Sequence, residues 1–113
     1  MRVYIAGPLR GTFSNDDKLV NVHTALRAAD VVMRLGHSPF VPHLCYYWNQ
    51  LSPKDASEWL AWDFEWLTTC HVLLRLPGES RGADMEVDLA RQLKIPVVFG
   101  IDEFSLMCEQ SNI

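Results

Sequence analysis

The sequence predicts an α/β chain, a single small doubly wound parallel β-sheet flanked by helices. Three observations lead there. Short apolar runs at residues 2–6, 38–42, 72–76 and 95–100 alternate with longer stretches of helical periodicity, and that alternation builds parallel sheets with helices on both faces. The runs stop at Gly or Pro, as at Gly7-Pro8 and Pro77-Gly78, as a buried strand ends at a turn. At 113 residues the chain supports one domain, with a core over 2–100 and a tail over 101–113.

The first strand, 2–6, runs into Gly7-Pro8-Leu9-Arg10-Gly11. Glycine after a first strand lets another group approach the backbone closely. Neither G-x-G-x-x-G nor a Walker A pattern is present. Arg10 between two glycines reads equally as an anion ligand or as an exposed loop arginine. The first helix spans 17–35, with Val22, Leu26, Ala29 and Met33 as its core stripe and Gly36 as the residue that stops it. Prolines at both ends of 38–42 suit an edge strand. The stretch 43–51 reads as an irregular aromatic loop (Tyr46, Tyr47, Trp48) that either lines a pocket or covers the edge of the core.

Ser52, Pro53 and Asp55 predict a second helix over 53–69, with Ser52 as N-cap. It is apolar nearly all round, so its second side is expected at the interface of a homodimer or larger homo-oligomer. Asp63 falls on the stripe of Trp59 and Leu67, where a carboxylate is costly unless it is paired or used. After the third strand, Ser80 and Gly82 open a helix over 83–94, where backbone N–H groups and the helix dipole favour an anion. Glu86 lies one turn inside. Taken alone it reads as a solvated surface residue; just past an anion-binding turn it reads as chemistry. Residues 101–113 form a final helix or a frayed tail.

Composition narrows the function classes. Apolar residues make up 49% and charged residues 21%, which describes a globular chain. A net charge of −4 without a basic cluster weighs against a nucleic-acid polymer as partner. No apolar run reaches the length of a membrane span, and no signal peptide is evident, so a cytoplasmic location is expected. Cys45, Cys70 and Cys108 are expected to be reduced. His43, Cys45, Cys70 and His71 match no structural zinc spacing, and no metal or other cofactor is implied.

Three motifs now stand in order: Tyr4-Ile5-Ala6-Gly7-Pro8-Leu9-Arg10-Gly11, Trp62-Asp63-Phe64-Glu65-Trp66-Leu67, and Ser80-Arg81-Gly82-Ala83-Asp84-Met85-Glu86. Through them the chain resembles the nucleoside 2-deoxyribosyltransferase-like superfamily, which includes deoxynucleoside 5′-monophosphate N-glycosidases. The resemblance covers about residues 2–100. It implies a Rossmann-like or flavodoxin-like sheet and cleavage of an N-glycosidic bond of a small nucleoside or nucleotide. By the same resemblance, Glu86 is the nucleophile, Asp63 the group that orients or protonates at the leaving base, and Tyr4 the phenol beside the nucleophile. Gly7, Arg10, Ser80 and Gly82 form the 5′-phosphate cradle. A deoxyribosyltransferase and a non-catalytic nucleotide-binding protein are the alternatives. The sequence departs from the pattern at His71, where relatives carry Asp at the start of strand three, and at the acidic loop Pro77-Gly78-Glu79. The resemblance also implies that a residue from a neighbouring subunit's C-terminal region completes the site, with Ser105 or Asn112 as the candidates.

Overall fold

The computed structural model describes residues 1–9 and 15–111. Four strands, β1 (Arg2–Ala6), β2 (Ser38–Phe40), β3 (Val72–Arg75) and β4 (Val97–Phe99), form one all-parallel sheet in the order β2-β1-β3-β4. The helices are α1 (Asn15–Arg34), α2 (Cys45–Leu51), α3 (Ala56–Leu67), α4 (Arg81–Gln92) and α5 (Gly100–Ser111). Among the described residues no helix is long and apolar enough to cross a membrane.

Strand alternation sorts the core into two layers. Val3 and Ile5 of β1 and Val72 and Leu74 of β3 pack with Ala25, Ala29 and Val32 of α1 and Phe104 and Cys108 of α5. Tyr4, Ala6 and Leu73 point the other way, onto Leu67 of α3 and Ala83, Val87 and Ala90 of α4. Side chains of a strand alternate between faces, and a sheet buried on both sides reads as the near-continuous apolar run seen in the sequence. The chain leaves β1 toward β2 on one side and reaches β3 on the other. The order in which strands are added therefore reverses between β1 and β3, and a ligand crevice is expected at their carboxyl ends.

Several boundaries differ from the sequence reading. Residues 43–51 are helical: a short 3-10 turn over Pro42–Leu44 leads directly into α2. The second helix starts at Ala56 rather than at Pro53. The Asn49 side chain takes the Lys54 backbone N–H at 2.8 Å, and the Asp55 N–H donates to Glu58 Oε2 at 2.9 Å, closing a capping box that makes Asp55 the N-cap in place of Ser52. Met33 is 63% exposed, and the α1 stripe runs instead through Val22, Ala25, Ala29 and Val32. Gly36 ends α1 at φ +89°, with the His37 N–H donating to the Val32 carbonyl. The tail is a helix because Phe104 and Cys108, four residues apart, are buried on one sheet face.

Candidate active site

A cavity of about 660 Å³ opens at the carboxyl ends of β1 and β3. Gly7 contributes its floor, His43 and Cys45 one side, Trp59 and Asp63 of α3 another, and the stretch from Glu79 to Glu86 its rim and back wall. Of the residues singled out in the sequence, the fold brings together Gly7, Asp63, Ser80, Gly82 and Glu86 in this lining, with Tyr4 directly behind. Arg10, Gly11 and Asn112 lie outside the described residues.

Glu86 is 6% exposed, so it is not a surface residue. It sits four residues after Gly82 on α4, on the face that looks into the cavity, beside the stripe of Ala83, Val87 and Ala90 that packs on the sheet. The hydroxyl of Tyr4, itself fully buried in β1, donates to Glu86 Oε2. Burial pushes the Glu86 carboxyl up to about 8; the Tyr4 hydrogen bond and the Arg75 charge oppose this, while Asp63 adds to it. Burial, with the nearby Glu86 and Asp63 carboxyls, pushes the Tyr4 phenol far up, so it stays a hydrogen-bond donor.

The mouth of α4 is built as the sequence indicates. Ser80 is extended at the N-cap, and its hydroxyl oxygen accepts from the Ala83 N–H at 3.1 Å. The other first-turn N–H groups have no intrahelical acceptor. A Cβ on Gly82 would meet no protein atom within 4 Å, so this glycine leaves open space where it lines the cavity. Gly7 is constrained differently: its Cβ would lie 3.0 Å from Leu76 Cβ, so the group that approaches the backbone here is the neighbouring strand's end. Gly78 holds φ +114°, and a Cβ there would meet Pro8 Cγ at 2.8 Å, so the segments after β1 and β3 approach closely at this glycine. Glu79 and Arg81 both line the cavity, so its mouth carries both charge signs and not the acidic loop alone.

Three neighbours were not singled out as site residues in the sequence. His43 is 2% exposed, and its Nε2–H donates to the Gly7 carbonyl at 3.2 Å. Burial lowers its pKa to about 4, so it is neutral at physiological pH. The signal was its position directly after β2, at the same end of the sheet. Arg75 looked like a member of an apolar strand, and Trp59 looked like a helix-face residue. Trp59 is 4% exposed, its indole N–H donating to Asn49 Oδ1 at 2.8 Å, so α2 fixes one cavity wall.

The aromatic side chains Tyr46, Tyr47 and Trp48 do not line the main cavity. Cys45 lines the main cavity and Tyr46 an adjoining recess, while Trp48 packs edge-on against Trp59 and Trp62. The second apolar side of α3 is thus partly covered within the chain, since Phe40 also packs on Trp62 and Trp66. His71 lies at the opposite end of β3 from the cavity, where its Nδ1 accepts from the Arg2 N–H at 2.8 Å; the departure there does not alter this site. Ser105 lies on α5, which packs on the other sheet face. Among the described residues no group of three or more His, Cys, Asp or Glu side chains is arranged to hold a metal ion.

Comparison with known proteins agrees with this architecture. No curated protein matches the sequence. A solved structure of a 2-deoxyribosyltransferase from the psychrotolerant bacterium Bacillus psychrosaccharolyticus matches with a TM-score of 0.59 at 23% identity, covering 88% of this chain and 71% of that one. The fold is therefore nucleoside 2-deoxyribosyltransferase-like. The model of one sequence family matches residues 1–100, and the chain belongs to that family, described as "Domain of unknown function (DUF7768)".

Proposed function

We propose that the chain cleaves the N-glycosidic bond of a nucleoside 5′-monophosphate, with Glu86 as nucleophile. The observation that carries this reading is the buried Glu86 carboxyl, held on one oxygen by the Tyr4 hydroxyl and facing a cavity that Asp63 also lines. Breaking the bond leaves an oxocarbenium-like sugar, which a carboxylate stabilises or traps. The Glu86 oxygen not held by Tyr4 bonds to C1′ as the C1′–N bond breaks, and the leaving base takes a proton from Asp63. Water then adds at C1′, frees Glu86 and restores the proton to Asp63, as two carboxyls divide the work in retaining glycosidases. The sugar phosphate is assigned to the α4 N-terminus at Ser80 and Gly82, with Gly7 beneath and Arg10 following Leu9 of the lining. Glu86 acts as the anion while Asp63 keeps a proton, so the pair must hold one proton between them and base release follows a bell-shaped pH profile.

The fold's likeness to a 2-deoxyribosyltransferase favours a second reading, in which another base rather than water resolves the intermediate. Incubation with ribo- and deoxyribonucleoside 5′-monophosphates and the matching nucleosides, with free base detected by chromatography, separates them. Base released from a monophosphate and lost in Glu86→Gln supports the hydrolase. Release only with an added acceptor base moves the assignment to transfer. Binding without turnover refutes both and leaves a nucleotide-binding protein. The half-exposed Trp48 and Trp66 and the exposed Leu51 are assigned to contact with a second copy of the chain; a monomer in sedimentation refutes that assignment. Three free, buried cysteines fit a reducing, cytoplasmic setting.

A further inference from the structure

Arg75 is the last residue of β3 and is 8% exposed, in a strand whose other members are Val72, Leu73 and Leu74. A charge buried in such a strand is costly unless its donors are used. One guanidinium nitrogen donates to the Leu76 carbonyl; the other donates to the Gly78 carbonyl at 2.9 Å and to Asp84 Oδ1 at 3.1 Å. All three acceptors belong to the connection between β3 and α4 or to the first turn of α4. Arg75 shares the sheet face of Leu73, the face on which Tyr4 meets Glu86, and its register partner on β1 is Ala6, two residues beyond Tyr4. Asp84 precedes Glu86 by two residues on α4, and its side chain is 70% exposed. The ion pair thus joins a buried cation to a solvated anion, and solvent weakens the anion's hold on that charge.

We propose that Arg75 is a positioning residue of the site: its guanidinium pins the loop that opens α4, and its incompletely neutralised charge, behind the cavity wall, keeps Glu86 able to ionise. This deepens the reading of Glu86 as nucleophile and rests on it. The groups that face Glu86 are Tyr4 from β1, Asp63 from α3 and Arg75 from β3, with neutral His43 across the cavity and Glu79, Arg81 and Asp84 at the mouth. Burial and Asp63 favour the protonated carboxyl; Tyr4 and Arg75 favour the carboxylate. Arg75 does not line the cavity, so its effect on chemistry runs through Glu86 and the loop.

The test is a ¹³C-glutamate NMR titration of the Glu86 carboxyl, assigned with Glu86→Gln, in the whole protein and in Arg75→Gln, Arg75→Lys and Asp84→Asn. It needs no turnover. Removing the cation in Arg75→Gln is expected to raise the Glu86 midpoint by about half a pH unit, less than loss of the Tyr4 hydrogen bond does, and Arg75→Lys to restore most of it. Asp84→Asn removes the partner anion and is expected to lower the midpoint by a few tenths of a unit. Shifts of opposite sign in Arg75→Gln and Asp84→Asn are not produced by loosening the loop alone. Midpoints unmoved in both overturn the proposal. If Arg75→Gln does not fold, Asp84→Asn decides it, because its side chain is largely solvated. Midpoints that move as expected while no substrate releases base would refute the enzymatic reading and leave the charge relation standing.

Discussion

Replacing Glu86 by Gln should reshape the pH dependence of stability in a way that no surface carboxylate can. The carboxyl is raised from an ordinary 4.5 to about 8, chiefly by burial. A group whose pKa is higher in the folded state binds its proton more tightly there. Its contribution is complete below pH 4.5 and is lost as pH rises through about 8. At about 1.4 kcal/mol per pH unit, ionising Glu86 costs the fold about 5 kcal/mol across that window. His43 works in the other direction. Its pKa is lowered from 6.5 to about 4, so its contribution is present above 6.5 and is lost as pH falls, about 3 kcal/mol in all. In the wild type the two slopes offset one another in the acid range, and the loss emerges between pH 6.5 and 8. Urea unfolding of both proteins across pH 4 to 9.5 isolates Glu86 in the difference between the curves, since His43 and the surface carboxylates are common to both. Gln retains a carbonyl that accepts from Tyr4, so the variant folds. The wild-type minus variant difference should fall by about 5 kcal/mol between pH 4.5 and 9. A level difference curve would mean that Glu86 is solvated in solution and would remove the basis for its elevated pKa.

Other perturbations separate the parts of the site. Tyr4→Phe removes a hydrogen bond to a charged acceptor worth about 1.5–3 kcal/mol, so the pH limb of base release should move up by about one to two units; an unmoved limb would show that the phenol does not hold Glu86. Gly82→Ala meets no protein atom, so the thermal midpoint should hold while calorimetric affinity for a nucleoside monophosphate falls. Gly78→Ala, at φ +114° and against Pro8, should lower stability by about 1–3 kcal/mol in the same measurements; equal effects of the two glycine changes would contradict the cavity's placement.

Alternating apolar runs and helical periods were enough to read the parallel sheet, because burial on both faces writes itself into each strand as an uninterrupted apolar run. The helix start at Ser80 was legible for a similar reason: an N-cap and its helix are local in sequence. The boundaries that the sequence missed were set by contacts from elsewhere. Asn49 draws the Lys54 N–H out of helical geometry, and of two stripes at helical spacing on the first helix it is the one through Ala25 and Val32, not the one through Leu26 and Met33, that packs with Phe104. Whether 43–51 is loop or helix depended on what Trp48 meets, and its partners are eleven and fourteen residues away. At the site, the sequence by itself determined which residue types were available: a carboxylate after a helix start, a second on an apolar stripe, a phenol in the first strand. Only the tertiary structure decided that Tyr4 meets Glu86 across 82 residues, that Arg75 turns into the α4 loop and that His43 is neutral. Burial, charge coupling and hydrogen-bond partners depend on distance in space, and in a parallel sheet the groups closest in space arrive from strands and helices far apart in the chain.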